Sequence, residues 1–161
     1  MKQQKTKMLS KEKKIMRWIY ILLFISMGFT GFGQMPIFKR YYLADIPGLG
    51  WTADFYLTHT LHYIGAILLL GIIAYVVLDY FLSIKRDYTL TFSAYIRIIF
   101  LAGIVVTGIF RVLKNLPDIV FSPGFTMFID ISHLVFMMLY ILSATLFLIK
   151  KSGWLKPMHH R

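Results

Sequence analysis

The chain has 161 residues, 58% of them hydrophobic, with mean hydropathy +0.66 and a formal net charge of +11. This length makes one domain the expectation, and so large an apolar share, gathered in blocks, points to a membrane rather than to a large soluble core. The absence of cysteine excludes a disulfide framework, cysteine-held zinc or iron–sulfur clusters on this chain, and covalent attachment of haem through a CxxCH motif. The positive charges stand at the ends of the apolar blocks, where they set topology and meet lipid headgroups, so nucleic acid is not expected as a partner.

Residues 1–17 carry Lys2, Lys5, Lys7, Lys11, Lys13, Lys14 and Arg17, and an apolar run follows from Trp18. The run is long for a signal peptide and no A-x-A-like cleavage site follows it. It is expected to be a retained first transmembrane helix over about 18–35. A loop over 34–54 is broken by Pro36, Pro47, Gly48 and Gly50, and Tyr41, Tyr42 and Trp51 suit the headgroup level. Three further apolar runs cover about 56–82, 97–113 and 126–149. The second and fourth are ample for a hydrocarbon layer of about 30 Å, and the first and third lie near the lower limit. The polar tail holds His159 and His160, a weak signal for any function.

Lysine and arginine set the expected orientation. With the N-terminus inside, inner segments hold fourteen basic residues, counting Lys85, Arg86 and Arg97 in the middle loop, and outer segments hold only Lys39, Arg40, Arg111 and Lys114. The fold class expected is therefore an all-α membrane protein. It forms a four-transmembrane-helix bundle in a single domain over 1–161, with both termini cytoplasmic.

Three histidines lie in the apolar runs. His59 and His62 are near the outer end of the second, and His133 is near the outer end of the fourth. Ionisable groups inside a membrane are costly and mark function by default. The second and fourth helices both run inward, which puts His62 and His133 at about 10 Å below the outer surface. That is the arrangement for holding a haem edge-on between helices, with bis-histidine ligation that carries electrons and leaves no open site for substrate. The plainer alternative is that these histidines hydrogen-bond between helices. His59, one turn above His62, could replace it as ligand, donate to a propionate or quinone, or face the interface. Arg111 and Lys114, at the outer end of the third helix, either pair with haem propionates or snorkel as interfacial anchors. Asp130, one turn before His133, could orient a ligand, pair with Arg111 or handle protons. Gly65, Gly103 and Gly108 either make room for the ring or serve ordinary helix contacts. Asp79 is more simply an interfacial residue than a proton or quinone site.

At these residues the chain resembles the four-helix prokaryotic cytochrome b family of formate dehydrogenase gamma subunits and nickel–iron hydrogenase b-type cytochromes. The similarity rests on Thr60-Leu61-His62-Tyr63-Ile64-Gly65, Val106-Thr107-Gly108-Ile109, Ile131-Ser132-His133, and Trp18 through Gly31-Phe32-Gly33. The resemblance implies an outer haem b on His62 and His133. The inner haem of that family is not expected here, because its ligand positions read Arg17 and Phe147, and the middle loop, Asp87-Tyr88-Thr89-Leu90-Thr91, lacks the segment near the family's inner quinone site.

The function expected is a b-type cytochrome subunit in a bacterial inner membrane. It passes electrons between the quinone pool and an outer-face redox partner, of iron–sulfur or cytochrome c type, within a larger oxidoreductase. The alternative is a haem-free anchor or assembly subunit of such a complex. A transporter or channel is disfavoured by the lack of broken mid-membrane helices and of charged rings at the membrane centre.

Overall fold

The computed structural model describes residues 2–35 and 40–158, with side chains from Lys14 onward. Four long helices dominate: α1, Lys2–Gly33; α2, Phe55–Asp79; α3, Phe92–Leu113; and α4, Pro123–Ile149. Four segments, Lys14–Gly33, Phe55–Ile84, Phe92–Leu113 and Pro123–Ile149, are long and apolar enough to cross a membrane. Leu22, Ile67, Ile99 and Leu148 on these helices are exposed. Such surface is an aggregation hazard in water and ordinary in lipid. The chain is thus all-α in its main architecture and suited to a multi-pass membrane protein.

The helix starts follow from capping chemistry. Asp54, Thr91 and Ser122 precede α2, α3 and α4, and each side chain accepts a hydrogen bond from a backbone N–H in the first turn: Leu57, Ala94 and Phe125. Pro123 then stands in the first turn of α4, where its missing N–H costs nothing. These caps place α3 and α4 earlier than the apolar runs suggest, at Phe92 and Pro123 rather than near 97 and 126. At its far end α2 passes into a π-helical turn, Tyr80–Ile84.

The chain divides into two compact units, residues 1–82 and 83–161. In the first, α1 packs on α2. The packing is antiparallel: Thr30 near the end of α1 meets His62 near the start of α2, and Met27, lower on α1, meets Gly65, lower on α2. Short 3₁₀ turns, Leu43–Asp45 and Gly50–Ala53, shape the connection. Between them Leu49 N donates to Ile46 O at 2.9 Å, closing a turn with Pro47 and Gly48 at its centre. Gly48 has φ +89°, which a side chain would strain. Phe29 packs on Trp51 at 5.9 Å between ring centres, fixing the connection to α1.

In the second unit α3 packs on α4, again antiparallel, since Thr107 meets His133 while Gly103 meets Phe136. The opposite end is closed by a two-stranded antiparallel ribbon, β1 (Tyr88–Leu90) with β2 (Leu155–Pro157). Tyr88–Leu90 of the middle loop and Leu155–Pro157 of the tail therefore have defined structure, which their polar surroundings in the sequence hide. Arg97 fastens this end. It is 6% exposed, not a free inner-face charge. Its guanidinium donates to the carbonyls of Ser93, Ser152 and Gly153 at 3.0, 3.4 and 3.2 Å and lies 4.0 Å from the Trp154 ring centre. Carbonyl dipoles and an aromatic face meet part of its charge.

Candidate functional site

Each unit holds one of the deeper histidines against the helix that precedes it. In the first, His62 Nδ1 lies 3.2 Å from Thr30 Oγ1 and 3.1 Å from Met27 O. Gly31 supplies the floor, for a Cβ there would stand 3.2 Å from His62 Cε1. In the second, His133 Nδ1 lies 3.0 Å from Thr107 Oγ1, and a Cβ on Gly108 would stand 3.4 Å from His133 Cε1. A Thr-Gly pair on one helix and an imidazole on the next thus occur twice.

His59 sits one turn above His62, with Nδ1 3.2 Å from Gln34 Oε1 and its ring between Phe55 and Tyr63, at 5.3 and 4.3 Å between centres. Its neighbours differ from those of His62. Gln34 Nε2 is buried without a hydrogen-bond partner among the described residues.

Arg111 and Lys114 converge on Asp130. Arg111 Nε is 3.1 Å from Oδ1 and Lys114 Nζ is 2.7 Å from Oδ2. Two cations thus share one carboxylate, and Asp118 follows in the loop beyond them. Of the roles open to Asp130, pairing with Arg111 is the one the structure contains.

The glycines separate by use. Gly65 admits Met27, whose Cγ would lie 2.8 Å from an added Cβ, and Gly103 admits the Phe136 ring at 2.7 Å. Both serve helix contact rather than room for a cofactor, whereas Gly108 faces the imidazole. Phe147 lies under the Arg97 guanidinium at 5.5 Å. Among the described residues no three His, Asp or Glu side chains gather as a metal site. His159 and His160 lie outside the described residues.

The two deeper histidines do not stand equally far along their helices. His62 lies about 10 Å along α2 and His133 about 15 Å along α4, at 1.5 Å per residue. The extra turn is shared by both helices of the second unit, since Thr107 stands six residues before the end of α3 and Thr30 three before the end of α1. The second hairpin is longer by about a turn on its loop side, and the Thr–His layer within it is unchanged.

Thr30, Gly31 and Thr107 were not singled out as site residues by the sequence. Their signal was present as a Thr-Gly pair recurring in the first and third apolar runs. Comparison with protein-family models, curated proteins and solved structures returns no match for the chain.

Proposed function

We propose that the chain is a b-type cytochrome subunit of a bacterial inner membrane, with both termini cytoplasmic. It serves electron transfer between the quinone pool and an outer-face redox partner, of iron–sulfur or cytochrome c type, within a larger oxidoreductase. The observation that carries the proposal is the pair of histidines, His62 and His133, each in a membrane-length helix and each held at Nδ1 beside a threonine. A ring nitrogen fixed by a hydrogen bond is the usual companion of metal ligation through the other nitrogen. Each imidazole therefore has the chemistry of a haem ligand, and one haem b on the two is part of the proposal. When bound, the haem supplies a one-electron couple. The resemblance to the four-helix cytochrome b family stays with this proposal.

The protein's own residues do the rest. Thr30, Gly31, Thr107 and Gly108 fix the two imidazoles. Arg111 and Lys114, which both contact Asp130, are the cations we assign to a haem propionate at the outer end. His59 stands beside the ligand layer rather than in it. Phe147 under Arg97 favours one haem over two, because that position offers packing and no ligand.

A haem-free anchor is the second reading, and one observation favours it: the Nδ1 contacts are complete within each hairpin, so they meet part of the cost of burying an imidazole without iron. The visible spectrum of the full chain, purified after expression with ample haem, separates the two. Reduced-minus-oxidised b-type bands at about one haem per chain support the cytochrome. A colourless protein supports the anchor.

A further inference from the structure

The two hairpins correspond over three successive layers. In the middle layer Thr30 meets His62 and Thr107 meets His133. One turn toward the loop, the residue four after each threonine meets the residue three before each histidine: Gln34 with His59, and Arg111 with Asp130. On the other side, the residue three after each histidine packs on the first helix with the sizes exchanged. Gly65 receives Met27, and Phe136 fills the space over Gly103. The same order of contacts, polar pair, Thr–His pair, knob and hole, is built from different residue types, the last layer using the residue three before Thr30 and four before Thr107. One arrangement, rather than one sequence, is repeated.

The middle layer also fixes where the imidazole proton lies. Thr30 Oγ1 donates to Ser26 O at 2.9 Å and approaches Met27 O at 3.2 Å. Thr107 Oγ1 donates to Gly103 O at 2.6 Å and approaches Ile104 O at 3.2 Å. A hydroxyl has one proton, and in each case the shortest contact is to a carbonyl of its own helix. The threonine oxygen is left to accept from the histidine. In the first hairpin Met27 O, which can only accept, also lies 3.1 Å from His62 Nδ1. The threonine contact in each hairpin, and the Met27 carbonyl in the first, point to a proton on Nδ1.

We infer that Thr30 and Thr107 are positioning residues that hold His62 and His133 in the same Nδ1–H tautomer, which makes Nε2 the basic nitrogen of each ring. The use of Nε2 toward haem iron rests on the cytochrome proposal; the tautomer belongs to the protein alone.

The test uses the full chain in lipid nanodiscs, labelled with ¹⁵N-histidine and prepared without haem. Ring ¹⁵N shifts are read at about pH 8, where an ordinary imidazole is neutral, and assigned with His62→Gln and His133→Gln. Both histidines are expected as Nδ1–H. Thr107→Val, which keeps the shape and removes the acceptor, is expected to lose the single tautomer at His133, and Thr107→Ser to restore it. An Nε2–H tautomer at either histidine in the unaltered chain overturns the inference, as does a His133 signal indifferent to Thr107→Val. If Thr107→Val does not fold, the unaltered chain and Thr107→Ser still decide. Where haem binds, Thr107→Val is also expected to move the midpoint potential to more positive values, because an imidazole that gives up its proton partner donates less charge to iron. A colourless chain with both Nδ1–H tautomers would sink the cytochrome and leave the positioning role standing.

Discussion

Gly103→Ala probes the closest helix contact in the second unit. A Cβ at this position would lie 2.7 Å from Cγ and Cδ1 and 2.8 Å from Cε1 of Phe136. Carbon atoms rest at about 3.5–4.0 Å, so roughly 1 Å of overlap must be relieved. The obstacle is the face of a ring, not the free end of a flexible chain, and it belongs to the helix that carries His133 one turn away. Relief requires Phe136 to leave its rotamer or α3 and α4 to separate. Overpacking of this kind costs about 1–3 kcal/mol. Alanine is the better helix former by about 1 kcal/mol, so a net loss of up to about 2 kcal/mol is expected. Gly71→Ala is the internal control, since nothing lies within 4 Å of a Cβ there and only the helix-propensity gain remains. Thermal unfolding of both variants in one detergent, followed by circular dichroism, compares them directly. Gly103→Ala is expected to melt below the parent and Gly71→Ala at or above it. Equal midpoints for the two variants would refute the packing of Phe136 on Gly103.

Three further outcomes are expected. Arg97→Met removes the donors to Ser93, Ser152 and Gly153 and the charge over Trp154; a loss of about 2 kcal/mol should speed hydrogen exchange at the Thr91 and Met158 amides, which bond Trp154 O and Asp87 O, while α1 and α2 keep their protection. Asp130→Asn leaves Arg111 and Lys114 facing each other, yet all three side chains retain contact with the surroundings, so a loss of only about 0.5–1 kcal/mol is expected, and it should shrink further as salt rises. Absorption spectra of haem-loaded variants should separate the histidines: His62→Ala and His133→Ala lose the b-type bands, and His59→Ala keeps them.

The helices were legible because membrane-length apolar runs carry their own signal. Their starts at Phe92 and Pro123 were less so, because a cap depends on a single side chain such as Thr91 or Ser122 and not on hydropathy. Arg97 reads in sequence as an inner-face charge, since basic residues next to apolar runs usually are; its burial depends on carbonyls more than fifty residues away in the tail. The ribbon of Tyr88–Leu90 with Leu155–Pro157 escaped for the same reason. In the candidate site, His62, His59 and His133 stood out because charge-bearing side chains are rare in apolar runs. Thr30 and Thr107 did not, because threonine is common in membrane helices and ordinarily bonds its own backbone. Its second contact, to an imidazole thirty-two or twenty-six residues away, becomes visible only when the hairpins close. The sequence left Asp130 several roles, and the hairpin geometry gives it Arg111 and Lys114 together.

The proposal that His62 and His133 hold one haem is tested most directly by the haem content and dithionite-reduced visible spectrum of the purified full chain. B-type bands at about one haem per chain are expected, low-spin in both oxidation states as two imidazole ligands require. A chain that stays colourless when haem is plentiful, or one that keeps the same low-spin bands in the His62→Ala, His133→Ala double variant, would contradict it.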